Sequence, residues 1–415
     1  MRICFHRKQD RSLSLRMPRL CRSINTFEFC GYTGFLLSFV QSFILVRQLG
    51  LSQLTLLGVT GTVILTFYAL MMVTKILANG EVIIYYHHEI AVIATSAVFL
   101  RLTQQPVLPY LDVLVLGLGV FLACGRIGCL MVGCCHGRLC RWGVRYGDAH
   151  ADAGFPRDLV GVRLFPIQAV ESALAVCIAS AGLLLLFGRH RPGSVLVWYV
   201  IAYGCARFCL EFFRGDAGRP YLWGFSEAQW TSLLLTLAVA IAERTKILPP
   251  SRWHWVLAMA MGVSVVLIST WRRFDDSHSF ELLHPRHVRE IIGALAHLEL
   301  SAPRAVPDSE LNTSSEGIHV THTSLGYRIS AGRSVIGSRT IKHYSVSKDG
   351  GSLSLRAAQI LSLLLTRLEA NSNSFKLIQG RTGVFHILLD SSSNYLQPHT
   401  QHTENPEARL HRNAM

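Results

Sequence analysis

Long apolar segments follow one another through residues 27–271, and each reaches or approaches the ~20 residues that a helix needs to cross a bilayer. Because the backbone has no water to bond with inside a bilayer, such segments are predicted to be transmembrane helices. The sequence therefore predicts an all-α polytopic membrane protein with about seven or eight transmembrane helices. The segments centre on 27–46, 52–78, 82–102, 109–134, 166–188, 194–213, 223–243 and 254–271.

Three regions are predicted along the chain. Residues 1–26 form a basic N-terminal arm, residues 27–271 the transmembrane domain, and residues 272–415 a polar C-terminal extension, partly disordered. In the extension, periodicity predicts helices over 285–300 and 352–370, strands within 317–330, and a hairpin over 375–389 with Gly380 near its turn. This pattern indicates a small soluble α+β appendage.

The net charge of +14 is largely placed in the arm and in loops beside the apolar segments. Cations in such positions favour anionic lipid surfaces, so membrane lipid is the predicted partner and nucleic acid is not. The seven Lys and Arg residues of the arm favour a cytoplasmic amino terminus.

Charged residues inside one apolar segment are the sharpest functional signal. Tyr203, Arg207, Glu211 and Arg214 stand at spacings of four, four and three, the first three within the predicted span 194–213 and Arg214 directly after it. Helical geometry would put them on one stripe. Charges at that depth are costly and usually face a protein interior or a wet cavity on a substrate path. The alternative is a structural Arg–Glu pair that joins two helices.

A second signal is the segment GRIGCLMVGCCHGR at 125–138, which combines Arg126 with closely spaced cysteines. Arg126 offers a planar guanidinium suited to phosphate. Cys129, Cys134, Cys135 and Cys140 allow a metal or thiol-redox site, although their spacing is unlike that of standard zinc motifs. Small cysteines that pack between helices are the commoner outcome. A membrane thiol-redox or metal protein therefore stays an alternative hypothesis.

This segment also resembles the signature of the prolipoprotein diacylglyceryl transferases. Further family-like segments follow in the same order along residues 142–232, while 272–415 has no counterpart. They are WGV (142–144), FPIQAVES (165–172), YGCARFCLEFFRGD (203–216) and FSEAQWTS (225–232).

The resemblance implies a multi-pass enzyme of the bacterial inner membrane. Its reaction would move a diacylglyceryl group from phosphatidylglycerol to the lipobox cysteine thiol of a prolipoprotein, with glycerol phosphate leaving and no metal or organic cofactor. The implied partners are phosphatidylglycerol, the prolipoprotein signal peptide and membrane lipid. By the same resemblance, the catalytic residues are His87, Arg126 and Arg207, and the substrate-binding residues are Tyr203, Glu211, Arg214, Gln168, Glu171 and Gln229.

The chain also departs from the family pattern. His87 matches the histidine of a His-Gly-Gly segment, but His88 and Glu89 replace both glycines. In the signature, Cys129 and Cys134 stand where the family usually has polar side chains. A scaffold paralogue without activity is therefore a further alternative. The membrane orientation is also open, because the family places its amino terminus outside the cytoplasm.

Overall fold

The computed structural model describes residues 25–78, 85–188, 191–275, 279–301, 319–336, 339–368, 375–381 and 383–390. The predictions of a basic arm and of disorder at the end of the extension concern segments that lie outside these residues. The chain divides into two compact units, residues 1–289 and 290–415.

The first unit is a bundle of long helices with short elements at one end. Six of its helices are long and apolar enough to cross a membrane, namely Thr26–Gln48, Gln53–Ile76, Val107–Val132, Ile167–Phe187, Ser194–Phe213 and Trp253–Arg273. The elements in chain order are α1 (Thr26–Gln48), α2 (Gln53–Ala78), α3 (Tyr85–Leu102), α4 (Val107–Val132), β1 (Leu139–Val144), α5 (Asp148–Ala151), α6 (Ile167–Phe187), α7 (Ser194–Leu210), β2 (Tyr221–Leu222), β3 (Phe225–Ser226), α8 (Glu227–Arg244), α9 (Arg252–Arg273) and α10 (Ser279–Leu282).

Small residues let the long helices approach closely. A Cβ atom added to Gly182 on α6 would lie 2.8 Å from Leu116 Cδ2 on α4, and one added to Gly34 on α1 would lie 2.8 Å from Cys124 Cβ on α4. Hydroxyls also join these pairs of helices. Ser38 Oγ on α1 donates to Gly117 O on α4 at 2.7 Å, and Ser172 Oγ on α6 donates to Ala123 O on α4 at 2.9 Å. Close backbone approach and interhelical hydrogen bonds are what stabilise helix pairs in lipid, where apolar contact alone gives little preference. Helix α4 is thereby fixed at the centre of the bundle.

A buried carboxylate fixes the start of α7. Asp112 on α4 accepts hydrogen bonds from the backbone N–H groups of Gly193 and Leu196 at 2.6 and 2.7 Å. Those N–H groups have no partner within their own helix, and a negative charge suits the positive end of the helix dipole. Asp112 therefore sets the depth of α7 against α4, and with it the position of every side chain farther along α7.

Close backbone contact also ties the loop after α4 to the segment after α7. Gly215 N donates to His136 O at 3.0 Å, and Arg138 N donates to Phe213 O at 2.9 Å. A Cβ atom on Gly215 would lie 2.2 Å from Gly137 O, so a side chain there would push the two segments apart. The signature segment and the polar end of α7 are consequently held side by side.

The second unit is a five-stranded antiparallel sheet with helical cover. Its sheet order is β4-β5-β6-β8-β7, and α12 packs on β7 and β8. The predicted hairpin and the two predicted helices are confirmed, while the stretch 317–330 holds two strands joined by a turn at Gly326. The elements are α11 (Pro285–Ser301, which begins in the first unit), β4 (Val320–His322), β5 (Tyr327–Ile336), β6 (Arg339–Lys348), α12 (Leu355–Leu368), β7 (Phe375–Gln379) and β8 (Phe385–Asp390).

Candidate functional site

Glu171, in the first turns of α6, is the centre of a buried charge cluster. Its carboxylate lies 3.0 Å from Arg126 Nε on α4 and 3.7 Å from Arg207 Nη1 on α7. It also lies 3.7 Å from Arg214 Nη1 and accepts a hydrogen bond from the Tyr203 hydroxyl at 3.0 Å. The Glu171 side chain is 0% exposed. The structure thus brings four other predicted site residues around the Glu171 carboxylate.

The cluster continues from Glu171 toward the end of α7. Arg207 Nη2 lies 2.9 Å from Glu211 Oε2, and Glu211 Oε1 accepts from Arg219 Nη1 at 2.6 Å. Asp216 then accepts from both Arg214 and Arg219. Four guanidinium groups thus meet three carboxylates, and one positive charge is in excess among these seven groups.

Asp216 forms the outer, more exposed edge of this cluster. Burial alone would raise the pKa of Asp216, but the Arg214 and Arg219 guanidiniums outweigh it and hold that pKa at about 2. Asp216 is therefore ionised at any physiological pH and keeps Arg214 in place.

The prediction that Arg214 lies on the same helical stripe as Tyr203 and Arg207 is wrong, because the backbone at Arg214 is not helical. Helix α7 ends at Leu210, a 3-10 turn covers Glu211–Phe213, and Arg214 has extended backbone with ψ of 141°. The pairing of Gly137 with Arg214 across an isolated β-bridge draws the chain out of the helix there. The side chain nevertheless reaches the cluster and is 0% exposed.

Three buried N–H donors of the cluster are unused. Arg126 Nε, Arg207 Nη1 and Arg214 Nη1 make no hydrogen bond to any partner in the described part of the chain, although each lies in ion-pair range of Glu171. Leaving a buried charged donor without a hydrogen bond is costly. A tetrahedral anion with several oxygen acceptors would satisfy these donors, and arginine suits such an anion because its planar fork offers paired N–H groups.

His87, the predicted proton acceptor, lies in a separate pair. Its Nε2 atom is 2.9 Å from Glu227 Oε1, which joins the start of α3 to the start of α8. Both side chains are half-exposed, at 41% and 37%. A carboxylate partner fixes the orientation of an imidazole ring, so the pair has the chemistry of a general base.

The two predicted glutamines contact backbone groups. Gln168 Nε2 donates to Cys134 O at 2.8 Å, and Gln229 Nε2 donates to Phe208 O at 3.3 Å. Gln229 also completes a capping box with Ser226 at the start of α8. Both amides therefore hold the elements that carry the site, and their contact with substrate stays a prediction.

The cysteines of the signature segment gather beside the arginines. The Sγ atoms of Cys129, Cys134 and Cys135 lie within 4.8 Å of one another, and Cys140 does not belong to this group. Arg126 and Cys129 stand three residues apart on α4, which places them on one face of the helix.

Several residues of the site were not among the predicted site residues. Glu227, Asp216 and Arg219 pair with predicted residues, and Asp112 fixes α7. All except Asp112 lie at or just after a predicted motif, so a search for carboxylates and arginines within a few residues of each motif could have found them. Asp112 connects α4 to the start of α7, which is distant in sequence, and no local sequence pattern predicts that contact.

The fold and this cluster define a polytopic membrane protein with a buried, arginine-rich polar site at one end of its helical bundle. Residues 54–243 match the family model described as prolipoprotein diacylglyceryl transferase.

Several curated proteins are also similar to part of this chain. The phosphatidylglycerol–prolipoprotein diacylglyceryl transferase 2 of Clostridium perfringens is 32% identical over 139 residues, which cover 32% of this chain and 49% of that protein. The transferase of Clostridium tetani is 30% identical over 171 residues, covering 41% and 65%. That of Dehalococcoides mccartyi strain BAV1 is 31% identical over 133 residues, covering 32% and 48%. The chain thus spans between 48% and 65% of the length of these relatives.

Proposed function

We propose that this protein transfers a diacylglyceryl group from phosphatidylglycerol to the lipobox cysteine thiol of a prolipoprotein. The observation that carries the proposal is the set of three arginines from α4, α7 and the segment after α7. Each has a buried nitrogen within ion-pair range of one carboxylate, and these nitrogens make no hydrogen bond within the part of the chain that the structure describes. The names of the relatives support the same reaction.

The arginines are proposed to bind the phosphate and to stabilise its charge as it leaves. The acceptor sulfur attacks the glyceryl carbon that carries the phosphate, a carbon–sulfur bond forms, and the carbon–oxygen bond breaks. Glycerol phosphate leaves with the bonding electron pair, and the diacylglyceryl group stays on the sulfur as a thioether. Guanidinium groups fixed in a site of low dielectric stabilise such a charge far better than they do in water.

Within this proposal, Arg126 and Arg207 contact the phosphate directly. Tyr203, Glu211, Arg214 and Glu171 hold them in position, since all four lie in the same network of ion pairs and hydrogen bonds. Gln168 and Gln229 support the neighbouring backbone. His87 takes the thiol proton, with Glu227 stabilising the imidazolium that results.

We place the protein in the bacterial inner membrane with eight crossings, by adding α3 and α8 to the six apolar helices. Helix α3 packs on both α2 and α4, and the short connection 103–106 returns the chain directly into α4. Helix α8 packs between α7 and α9 and is joined to α9 by 245–251. Their buried Glu89 and Glu243 lie within the protein, where charges in a membrane domain are tolerated.

Two experiments test the proposal. The first is complementation of a bacterium depleted of its own transferase. The second measures the transfer of labelled lipid from phosphatidylglycerol to a lipobox peptide in isolated membranes. The wild type is expected to support growth and to label the peptide. Arg207→Ala is expected to lower labelling by at least about a hundredfold, within the range seen when one charge-stabilising group is lost. Absence of labelling by a wild-type protein that is present in the membrane would overturn the proposal.

The matched control is Arg101→Ala, because Arg101 is an exposed arginine at the far end of α3. This variant is expected to label the peptide at the wild-type rate. Glu227→Gln tests the proton acceptor. It is expected to slow transfer while leaving binding of phosphatidylglycerol unchanged, and an unchanged transfer rate would remove His87 and Glu227 from the mechanism.

A further inference from the structure

Three thiols lie together at the end of α4, beside the arginine cluster. The Sγ atoms of Cys129, Cys134 and Cys135 are all within 4.8 Å of one another, and all three cysteines are free. Cys129 is buried, Cys135 is half-buried and Cys134 is exposed, so the group extends from the protein interior to the surface. Neither the ion pairs of the arginine cluster nor the His87–Glu227 pair includes a cysteine. The thiol group therefore has no part in the transfer step proposed above.

The backbone turns sharply to bring these thiols together. Gly133 ends α4 with φ of 88°, and Cys135 has φ of 55°, which is uncommon for a residue with a side chain. Gln168 Nε2 holds the turn by donating to Cys134 O at 2.8 Å. Backbone in such a conformation persists where the surroundings impose it, and it is frequent at functional sites. The fold therefore imposes the position of the two adjacent cysteines beside Cys129.

The surroundings of Cys135 favour its thiolate form. The Cys129 and Cys134 thiols donate to its sulfur, and two nearby guanidiniums, those of Arg214 and Arg126, add positive charge. These contacts outweigh the effect of burial and hold the pKa of the Cys135 thiol well below its ordinary value. The thiolate is the nucleophilic form of cysteine, and a thiolate next to a second thiol is the usual arrangement of cysteines that are oxidised reversibly.

Cys129 is the better placed of the two neighbours to form a disulfide with Cys135. Adjacent Cα atoms in a trans chain are about 3.8 Å apart, which is shorter than the separation of about 4.4–6.8 Å usual in disulfides. Cys134 and Cys135 are therefore poorly suited to bond to each other. Cys129 lies six residues before Cys135 on α4, and its sulfur is within 4.8 Å of the Cys135 sulfur.

We propose that Cys135 is a site of reversible oxidation by hydroperoxides, which ends in a disulfide between Cys135 and Cys129 and slows lipid transfer. This inference rests on the proposed function and adds a means of regulating it. Arg126 precedes Cys129 by three residues on α4, and its Nε atom lies 3.0 Å from Glu171 Oε2. Because the new bond pulls on the end of α4, it displaces Arg126 from its place opposite Glu171.

The chemistry takes two steps. The Cys135 thiolate attacks one oxygen of hydrogen peroxide, the oxygen–oxygen bond breaks, and the leaving hydroxide takes a proton from solvent, so that Cys135 becomes a sulfenic acid. The Cys129 sulfur then attacks the sulfenic sulfur, the sulfur–sulfur bond forms, and hydroxide leaves with the thiol proton as a second water. The two sulfurs lose two electrons, which the peroxide gains. A dithiol reductant reverses the change by thiol–disulfide exchange.

The test treats the reduced, full-length protein in detergent with an equimolar amount of hydrogen peroxide and maps the products by peptide mass spectrometry. Wild type is expected to form the Cys129–Cys135 disulfide. Cys129→Ser should instead keep the sulfenic acid, which dimedone labels at Cys135. Cys177→Ser, at an exposed cysteine outside the group, is the matched control and should form the disulfide as wild type does. Absence of this disulfide in wild type, or no dimedone label at Cys135 in Cys129→Ser, would overturn the proposal.

Labelled-lipid transfer tests the effect on the reaction. Oxidised wild type is expected to transfer lipid at least about tenfold more slowly than reduced wild type, since a misplacement of about 1 Å in a reacting site can cost about a hundredfold. Dithiothreitol should restore the rate, and Cys135→Ser should keep its rate after peroxide.

The outcomes separate this inference from the proposed function. Equal transfer rates for oxidised and reduced wild type would overturn the regulatory role and leave the transferase function standing. Absence of transfer by reduced wild type would contradict the transferase function, while the disulfide in the mass spectra would still support the oxidation site.

Discussion

Glu171 Oε2 lies 3.0 Å from Arg126 Nε, and this ion pair joins α6 to α4 where both side chains are almost fully buried. Two more guanidinium groups face the same carboxylate. Glu171 therefore sets the position of the arginines that the proposed reaction needs, and its charge is what allows them to lie so close together.

Glu171→Gln is expected to destabilise the protein by about 3–5 kcal/mol, since removing one partner of a buried ion pair leaves the other charges uncompensated. The loss should appear as a lower midpoint of thermal unfolding in detergent, followed by tryptophan fluorescence. Glu28→Gln, at an exposed carboxylate in the first turn of α1, should change stability by less than about 1 kcal/mol. Equal midpoints for Glu171→Gln and wild type would show that the carboxylate does not hold the cluster together.

Asp112 offers a graded test of how α7 is positioned. Asp112→Ala removes both hydrogen bonds to the start of α7 and is expected to cost about 0.5–2 kcal/mol, the usual value of a helix cap. Asp112→Asn keeps one acceptor oxygen and should cost less. When the three proteins are unfolded thermally under one condition, the unfolding midpoint should be highest for wild type, lower for Asp112→Asn and lowest for Asp112→Ala. An alanine variant as stable as wild type would contradict the capping role.

Much of the bundle could be predicted from the sequence, because apolar length alone identifies helices such as α4 and α6. The site could be predicted in part. The spacing of Tyr203, Arg207 and Glu211 identified a polar face on α7, and the resemblance added Glu171. What could not be predicted was the central place of Glu171, since helical periodicity gives a face but does not say which helix that face meets.

The end of α7 shows the same limit in a different way. Arg214 leaves the helix because its backbone pairs with Gly137, a residue distant in sequence. The helix propensity of the local sequence does not predict such a contact. Helices α3 and α8 differ from this case, because they correspond to the predicted segments 82–102 and 223–243, although they are not among the six helices that are apolar enough to cross a membrane and they carry the buried carboxylates Glu89 and Glu243.

His150 is expected to make stability depend on pH. It is buried in the short helix α5, and burial lowers the pKa of its imidazole below the ordinary value of 6.5. Its Nδ1 accepts from Gly147 N–H at 3.3 Å, so the neutral ring is the form that fits. Because the folded protein binds this proton less readily than the unfolded chain, stability is fully present above about pH 6.5 and is lost as pH falls through the lowered pKa.

The comparison is between wild type and His150→Gln, which can still accept the Gly147 hydrogen bond but does not titrate. Unfolding midpoints measured between about pH 7.5 and pH 5 should fall more steeply with acid for wild type than for the variant. Other histidines are the same in both proteins, so the difference isolates His150. Parallel pH profiles would contradict this assignment.

The most direct test of the central claim is equilibrium binding of two fluorescent lipids with identical acyl chains, phosphatidylglycerol and diacylglycerol, to the purified protein. If the buried arginines bind the phosphate, wild type and Arg101→Ala should prefer phosphatidylglycerol by at least about tenfold, which is about 1.4 kcal/mol. Arg207→Ala should lose most of this preference while still binding diacylglycerol as wild type does. Equal affinity of wild type for both lipids, or a preference that survives in Arg207→Ala, would contradict the account.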